Sequence, residues 1–98
     1  MTIEKIKNGT ALTVVLQGRL ETTTAPELDA VIKSETQGVT DLVFDFTALD
    51  YISSAGLRVL LSAQKIMNKQ GAMKVVGANE IVREIFDVTG FCDILTVE

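Results

Sequence analysis

The stretch Asp41-Leu42-Val43-Phe44-Asp45-Phe46 decides the fold. It is nearly all apolar, as expected of a central strand covered on both faces, so it predicts a sheet with helices packed on it. After a connection, Thr47 to Ser53, residues Ala55 to Gln70 show the period of an amphipathic helix. Val59, Leu60, Ala63, Ile66 and Met67 fall inward, and Arg58, Ser62, Lys65 and Lys69 fall outward. Gly71 ends that helix, and Met73 to Val76 is a second buried strand. Strand, helix and strand in this order make a parallel crossover.

Upstream, Thr2 to Lys7 and Ala11 to Gln17 are rich in Ile, Val and Thr and flank Asn8-Gly9, the pattern of an antiparallel hairpin. Thr24-Ala25-Pro26-Glu27 starts a helix at about Ala25, with Thr24 as cap, Pro26 in the first turn and Glu27 completing a capping box. Leu28, Val31 and Ile32 form its inward side, and Gly38 lies just beyond its end. Downstream, Asn79 caps a third helix with Ile81, Val82, Ile85 and Phe86 inward, and Gly90 closes it. Phe91 to Glu98 is expected as a short strand or packed tail, with Cys92 a small buried hydrophobe between Phe91 and Ile94. The order is ββαβαβα plus a terminal segment. It predicts an α/β fold, one domain over residues 1–98, with a mixed sheet that carries an antiparallel hairpin at its start.

Composition narrows function. The chain has 98 residues, 47% of them hydrophobic, which allows one core and no second domain. A single Cys92 and no histidine leave neither an internal disulfide nor a metal cage, so no metal or cofactor is expected and a reducing cytoplasm fits best. The missing histidine also removes the usual general base near neutral pH. Nine basic against thirteen acidic side chains, net charge −4, provide no basic stripe for nucleic acid. No apolar run approaches the ~20 residues of a membrane span, and Met1 to Lys5 has no apolar signal core. No G-x-x-x-x-G-K-[ST] loop is present for nucleotide.

The residues that bear on chemistry are Leu49-Asp50-Tyr51-Ile52-Ser53-Ser54-Ala55-Gly56-Leu57, where a buried strand gives way to the longest helix. Open α/β sheets place ligands and switches at this edge. Ser53 and Ser54 are also ordinary helix caps, and Gly56 also serves close helix packing. A hydrolase elbow is disfavoured, because Ile52 stands where the first glycine of G-x-S-x-G belongs and no histidine exists to take the proton, while Lys65 and Lys69, the candidates for a Ser-Lys pair, lie on the outward face. An aspartyl-phosphate receiver centred on Asp45 or Asp50 lacks the early acidic pair for Mg²⁺; Asp50 is expected at a turn, orienting the serines. Met67 belongs to the core, and Leu57 and Leu61 to its half-buried flank. A remaining possibility is that the serine accepts a phosphoryl group and that the catalysis belongs to a kinase.

The run Leu42-Val43-Phe44-Asp45-Phe46-Thr47-Ala48-Leu49-Asp50-Tyr51-Ile52-Ser53-Ser54-Ala55-Gly56-Leu57 resembles the signature of STAS domains, in particular bacterial anti-sigma factor antagonists. Gly18-Arg19-Leu20-Glu21 with Ala25, and Ile85-Phe86-Asp87-Val88-Thr89-Gly90, resemble two further segments of that family, so the likeness covers nearly the whole chain. The resemblance implies a mixed sheet with packed helices and a non-catalytic switch. It places the phosphoacceptor on Ser54, two residues before Gly56. It also implies two partners: a serine-kinase anti-sigma factor, bound when Ser54 is bare so that the sigma factor is freed, and a phosphoserine phosphatase that resets the switch. The implied partner surface comprises Glu21, Asp50, Tyr51, Ile52, Ser53, Ser54, Gly56, Leu57 and Arg58. Ser53 stands where many antagonists have Asp, and Glu21 keeps the charge of the more usual Asp. Arg58 replaces a commonly small residue beside Ser54, where it contacts the partner or neutralises a phosphate. The alternative within the same fold is a constitutive docking subunit of a lipid-transport or stress complex.

Overall fold

In the computed structural model, which describes residues 1–98, four strands lie side by side in chain order. They are β1 (Thr2–Asn8), β2 (Ala11–Leu20), β3 (Asp41–Ile52) and β4 (Ala72–Val76). The β1–β2 pair is antiparallel about the Asn8-Gly9 turn, and β2–β3 and β3–β4 are parallel. Helices α1 (Ala25–Glu35) and α2 (Ser54–Met67) make the two parallel crossovers, and α3 (Glu80–Thr89) follows β4. A single turn of 3-10 helix at Phe91–Asp93 leads to Val97, which bridges Val75 on the outer edge of β4. The mixed sheet, hairpin and element order agree with the sequence expectation.

The coverage of the sheet differs from it. Leu12, Val14 and Leu16 of β2 and Leu42, Phe44 and Phe46 of β3 are at most 1% exposed, whereas the alternate residues Thr13, Val15, Val43 and Asp45 are only half-buried. Topology is the reason. Strands added one after another in the same direction, each joined by a right-handed crossover, put both connecting helices on the same face. Helix α3 returns to that face too, its Phe86 ring 6.5 Å from Phe46. All 24 core residues therefore form one cluster between three helices and one side of the sheet.

Four local expectations are corrected. Strand β3 runs on to Ile52, through what was expected as a connection, because two register shifts against β2 keep Leu49 and Ile52 pointing inward. Thr24 is already helical at ψ −21°, so its hydroxyl does not cap α1; it accepts from Glu21 N at 2.9 Å and donates to Arg19 O at 2.8 Å. Ile81 is 56% exposed, since the inward line of α3 is set by Val82 and Phe86 and Ile81 lies beyond its flank, on the side of Val88. Cys92 is exposed: Leu95 is buried and Phe91 packs on the core, leaving Cys92 on the outside of the 3-10 turn. Its thiol donates to Asp87 Oδ1 at 3.1 Å, and that carboxylate pushes its pKa up. Asn79 does cap α3, its Oδ1 accepting from Val82 N at 2.8 Å.

Candidate functional site

The two central parallel strands end at the same edge, and their last residues build the site. The register shifts bring Arg19 opposite Tyr51 and Leu20 opposite Ile52, with Gly18 at φ +101° where the ladder slips. Leu20 and Ile52 turn inward and are at most 1% exposed. Arg19 and Tyr51 turn the other way, and the guanidinium lies 4.6 Å from the ring centroid while Nε donates to Glu21 at 3.2 Å. Arg19 is the site residue that sequence reasoning missed. The signal lay in the register, which residue spacing within one strand does not carry.

Ser53 and Ser54 have different environments. Ser53 is the last extended residue, φ −100° and ψ 177°; its N–H donates to Leu20 O at 2.9 Å and its carbonyl accepts from Leu57 N at 3.0 Å. Although it occupies the cap position, its hydroxyl makes no capping bond, and the oxygen is buried without a partner. Ser54 is the first residue of α2 and is exposed. Arg58, one turn further along, is exposed as well.

Beneath them, Gly56 lets α2 sit on the strand ends: a Cβ there would come within 2.6 Å of Leu20 Cγ and 2.8 Å of Ile52 Cγ1. Gly56, Leu57 and Ile52 are buried, so they shape this surface from below. Asp50 is exposed, Tyr51 and Glu21 half so. Asn79 ties α3 to the same edge, donating from Nδ2 to Leu49 O at 3.1 Å and Asp50 O at 3.4 Å. Beside Arg58 an open cleft of about 320 Å³ runs between α1 and α2, lined by Ala25, Pro26, Asp29, Ala55, Arg58 and Ser62 among others.

The edge presents a hydroxyl and charges, with the geometry of a surface. No residue other than glycine has positive φ, so Ser54 sits in relaxed helix rather than on the strained elbow of a hydrolase. Lys65 and Lys69 are exposed, one near the far end of α2 and the other beyond it, away from Ser54 at its start. No group of three or more Cys, Asp or Glu side chains converges as a metal site, and no helix is long and apolar enough to cross a membrane. Away from the edge, Asp45 accepts from the Thr47 hydroxyl at 2.7 Å and the Thr47 N–H at 3.0 Å, which hold its carboxyl below the usual carboxylate range.

Comparison with known proteins gives consistent results. The model of the STAS domain matches residues 2–98. The "Putative anti-sigma factor antagonist BtrV" of Bordetella bronchiseptica is 37% identical over 99% of this chain and 84% of its own length. An anti-sigma-B factor antagonist of Staphylococcus epidermidis is 27% identical over 99% of this chain and 92% of its own. Among solved structures, the Bacillus cell fate determinant SpoIIAA in the phosphorylated form superposes with a TM-score of 0.78 at 16% identity, over 99% of this chain and 91% of its own, a likeness of fold. With a mixed sheet, one helical layer and a family match along almost its entire length, the chain belongs to the STAS domain family, among relatives named as anti-sigma factor antagonists.

Proposed function

We propose that the protein is an anti-sigma factor antagonist switched at Ser54. In the bare state its strand-end surface binds a serine-kinase anti-sigma factor, which releases the sigma factor. The kinase then moves the γ-phosphoryl group of ATP to Ser54 Oγ, with ADP and the hydroxyl proton as the other products. The modified surface lets the kinase go, and a phosphatase hydrolyses the phosphoserine to restore Ser54 and free phosphate.

The observation that carries this reading is the contrast between the two serines. Ser54 is exposed at the first position of α2, whereas the Ser53 oxygen is buried below it. A phosphate on Ser54 adds about −1.5 to −2 charges, and a helix N-terminus tolerates them, so the domain stays folded while its surface becomes more strongly negative. Support also comes from the relatives being named as anti-sigma factor antagonists and from SpoIIAA having a phosphorylated form. The surface comprises Glu21, Asp50, Tyr51, Ser53, Ser54 and Arg58, held from beneath by Ile52, Gly56 and Leu57.

Titration of Ser54→Ala and Ser54→Asp against the anti-sigma factor of the source cells tests it. Both variants fold; with ATP present or absent Ser54→Ala binds as tightly as unphosphorylated wild type, and Ser54→Asp binds at least about tenfold more weakly, as expected for ~1.4 kcal/mol or more lost at a central contact. Equal binding by the two variants overturns the switch.

A further inference from the structure

Arg58 is an arginine without a partner. The four ion pairs of the chain join Lys5 to Glu35, Arg19 to Glu21, Lys33 to Asp29 and Lys74 to Glu98. Asp29, the acid that shares the α1–α2 cleft with Arg58, is thus already held by Lys33 at 2.8 Å. The first turn of α2 contains no acidic residue, and Ser53 Oγ, just before it, is unpartnered. Ser54 and Arg58 stand four residues apart, on the same side of α2, where Cβ atoms lie about 5–6 Å from each other.

We propose that a phosphate on Ser54 is captured by Arg58, one helical turn further along and at the rim of the α1–α2 cleft. The planar guanidinium fits two phosphate oxygens at once, a pairing stronger than one with a single neutral acceptor. Phosphorylation then changes the docking surface twice: it adds a dianion at Ser54 and ties up the unpaired cation that a partner carboxylate would otherwise meet. The inference rests on Ser54 as the phosphoacceptor and names what regulates the rest of that surface.

The test uses the full chain with phosphoserine inserted at position 54 during translation, in wild-type, Arg58→Gln and Arg58→Lys backgrounds, each followed by ³¹P NMR from pH 4 to 9. The acids that α1, the β2–α1 turn and β3 bring to this end, Asp29, Glu21 and Asp50, are common to all three proteins, so differences between them report the side chain at 58. The second phosphate pKa is expected lower in wild type than in Arg58→Gln by about 0.5–1 unit, because a nearby cation favours the dianion. Arg58→Lys keeps part of that shift. Coincident titrations in wild type and Arg58→Gln overturn the pairing. Since no kinase is involved, that result leaves Ser54 as a kinase target intact, and a failed switch in the Ser54→Ala and Ser54→Asp experiment leaves the ion pair intact.

Discussion

Substituting alanine for Gly56 places one methyl group where the seating of α2 on the strand ends has no room. The new Cβ meets Leu20 Cγ at 2.6 Å, Ile52 Cγ1 at 2.8 Å and Leu20 Cδ2 at 3.0 Å. Leu20 Cγ is a branch point rather than a flexible tip, and both side chains are at most 1% exposed, so neither yields without moving the core. Overpacking of this kind costs about 1–3 kcal/mol. Against it stands the helix preference of Ala over Gly, about 0.8–1.0 kcal/mol in a helix interior and less in a first turn. The net is a loss of about 1–2 kcal/mol, which lowers Tm by roughly 4–16 °C at about 4–8 °C per kcal/mol for a domain of this size. Urea unfolding followed by circular dichroism measures it, with the midpoint shifting and the m-value unchanged. Because α2 is lifted at the turn that bears Ser54, binding of the proposed anti-sigma factor partner falls as well. A Gly56→Ala protein as stable as wild type, or more so, refutes the reasoning, for it means that Leu20 and Ile52 do give way.

Further outcomes are expected elsewhere. Asn79→Ala loses the cap of α3 and the tie to Leu49 O, a destabilisation of about 1–2 kcal/mol by urea unfolding, whereas a loss below ~0.5 kcal/mol removes Asn79 as a tie. Ser53→Ala behaves differently from an ordinary cap substitution: no capping bond is lost and a buried unpaired oxygen is removed, so stability rises by up to about 1 kcal/mol, and a drop of that size shows that the hydroxyl is bonded in solution. Asp45 has a depressed folded pKa, so its stabilisation is present above the unfolded carboxylate pKa and disappears as pH falls through the folded value. Thr47→Val raises that folded pKa and moves acid unfolding to higher pH, read by carboxyl NMR titration; an unmoved Asp45 titration contradicts the hydrogen-bond cause.

Much of this architecture is legible from residue order. Asn8-Gly9 specifies the hairpin, the spacing of Val59, Leu60, Ala63 and Met67 specifies α2, and Asn79 specifies the start of α3, because each is settled by a few neighbouring residues. The one-sided sheet is settled instead by the handedness of successive crossovers, which no single strand records. Val43 on the open face made β3 resemble a strand buried on both sides. The register shifts hid the second half of β3, since the inward residues Phe46, Leu49 and Ile52 are spaced by three there rather than by two. At the site, the resemblance to STAS domains pointed to Ser54, and the structure adds that it is exposed where Ser53 Oγ is buried. Arg19 escaped notice because its stacking on Tyr51 depends on two strands aligned across a helical crossover.

The hydrogen bond from Ser53 N–H to Leu20 O anchors the site in the part of the molecule that should open most rarely. Strands β2 and β3 are the two inner strands of the sheet, and their amides are expected to exchange with solvent only through near-global unfolding, whereas those of the edge strand β1 are expected to exchange through local fraying. Ser53 should therefore share the protection of Val14 and Phe44 in deuterium exchange, even though Ser54, one residue on, faces the solvent. A recognition surface rooted this way needs no ordering when a partner arrives, so little of the binding free energy is spent on entropy, and its response to modification is confined to side chains at the rim.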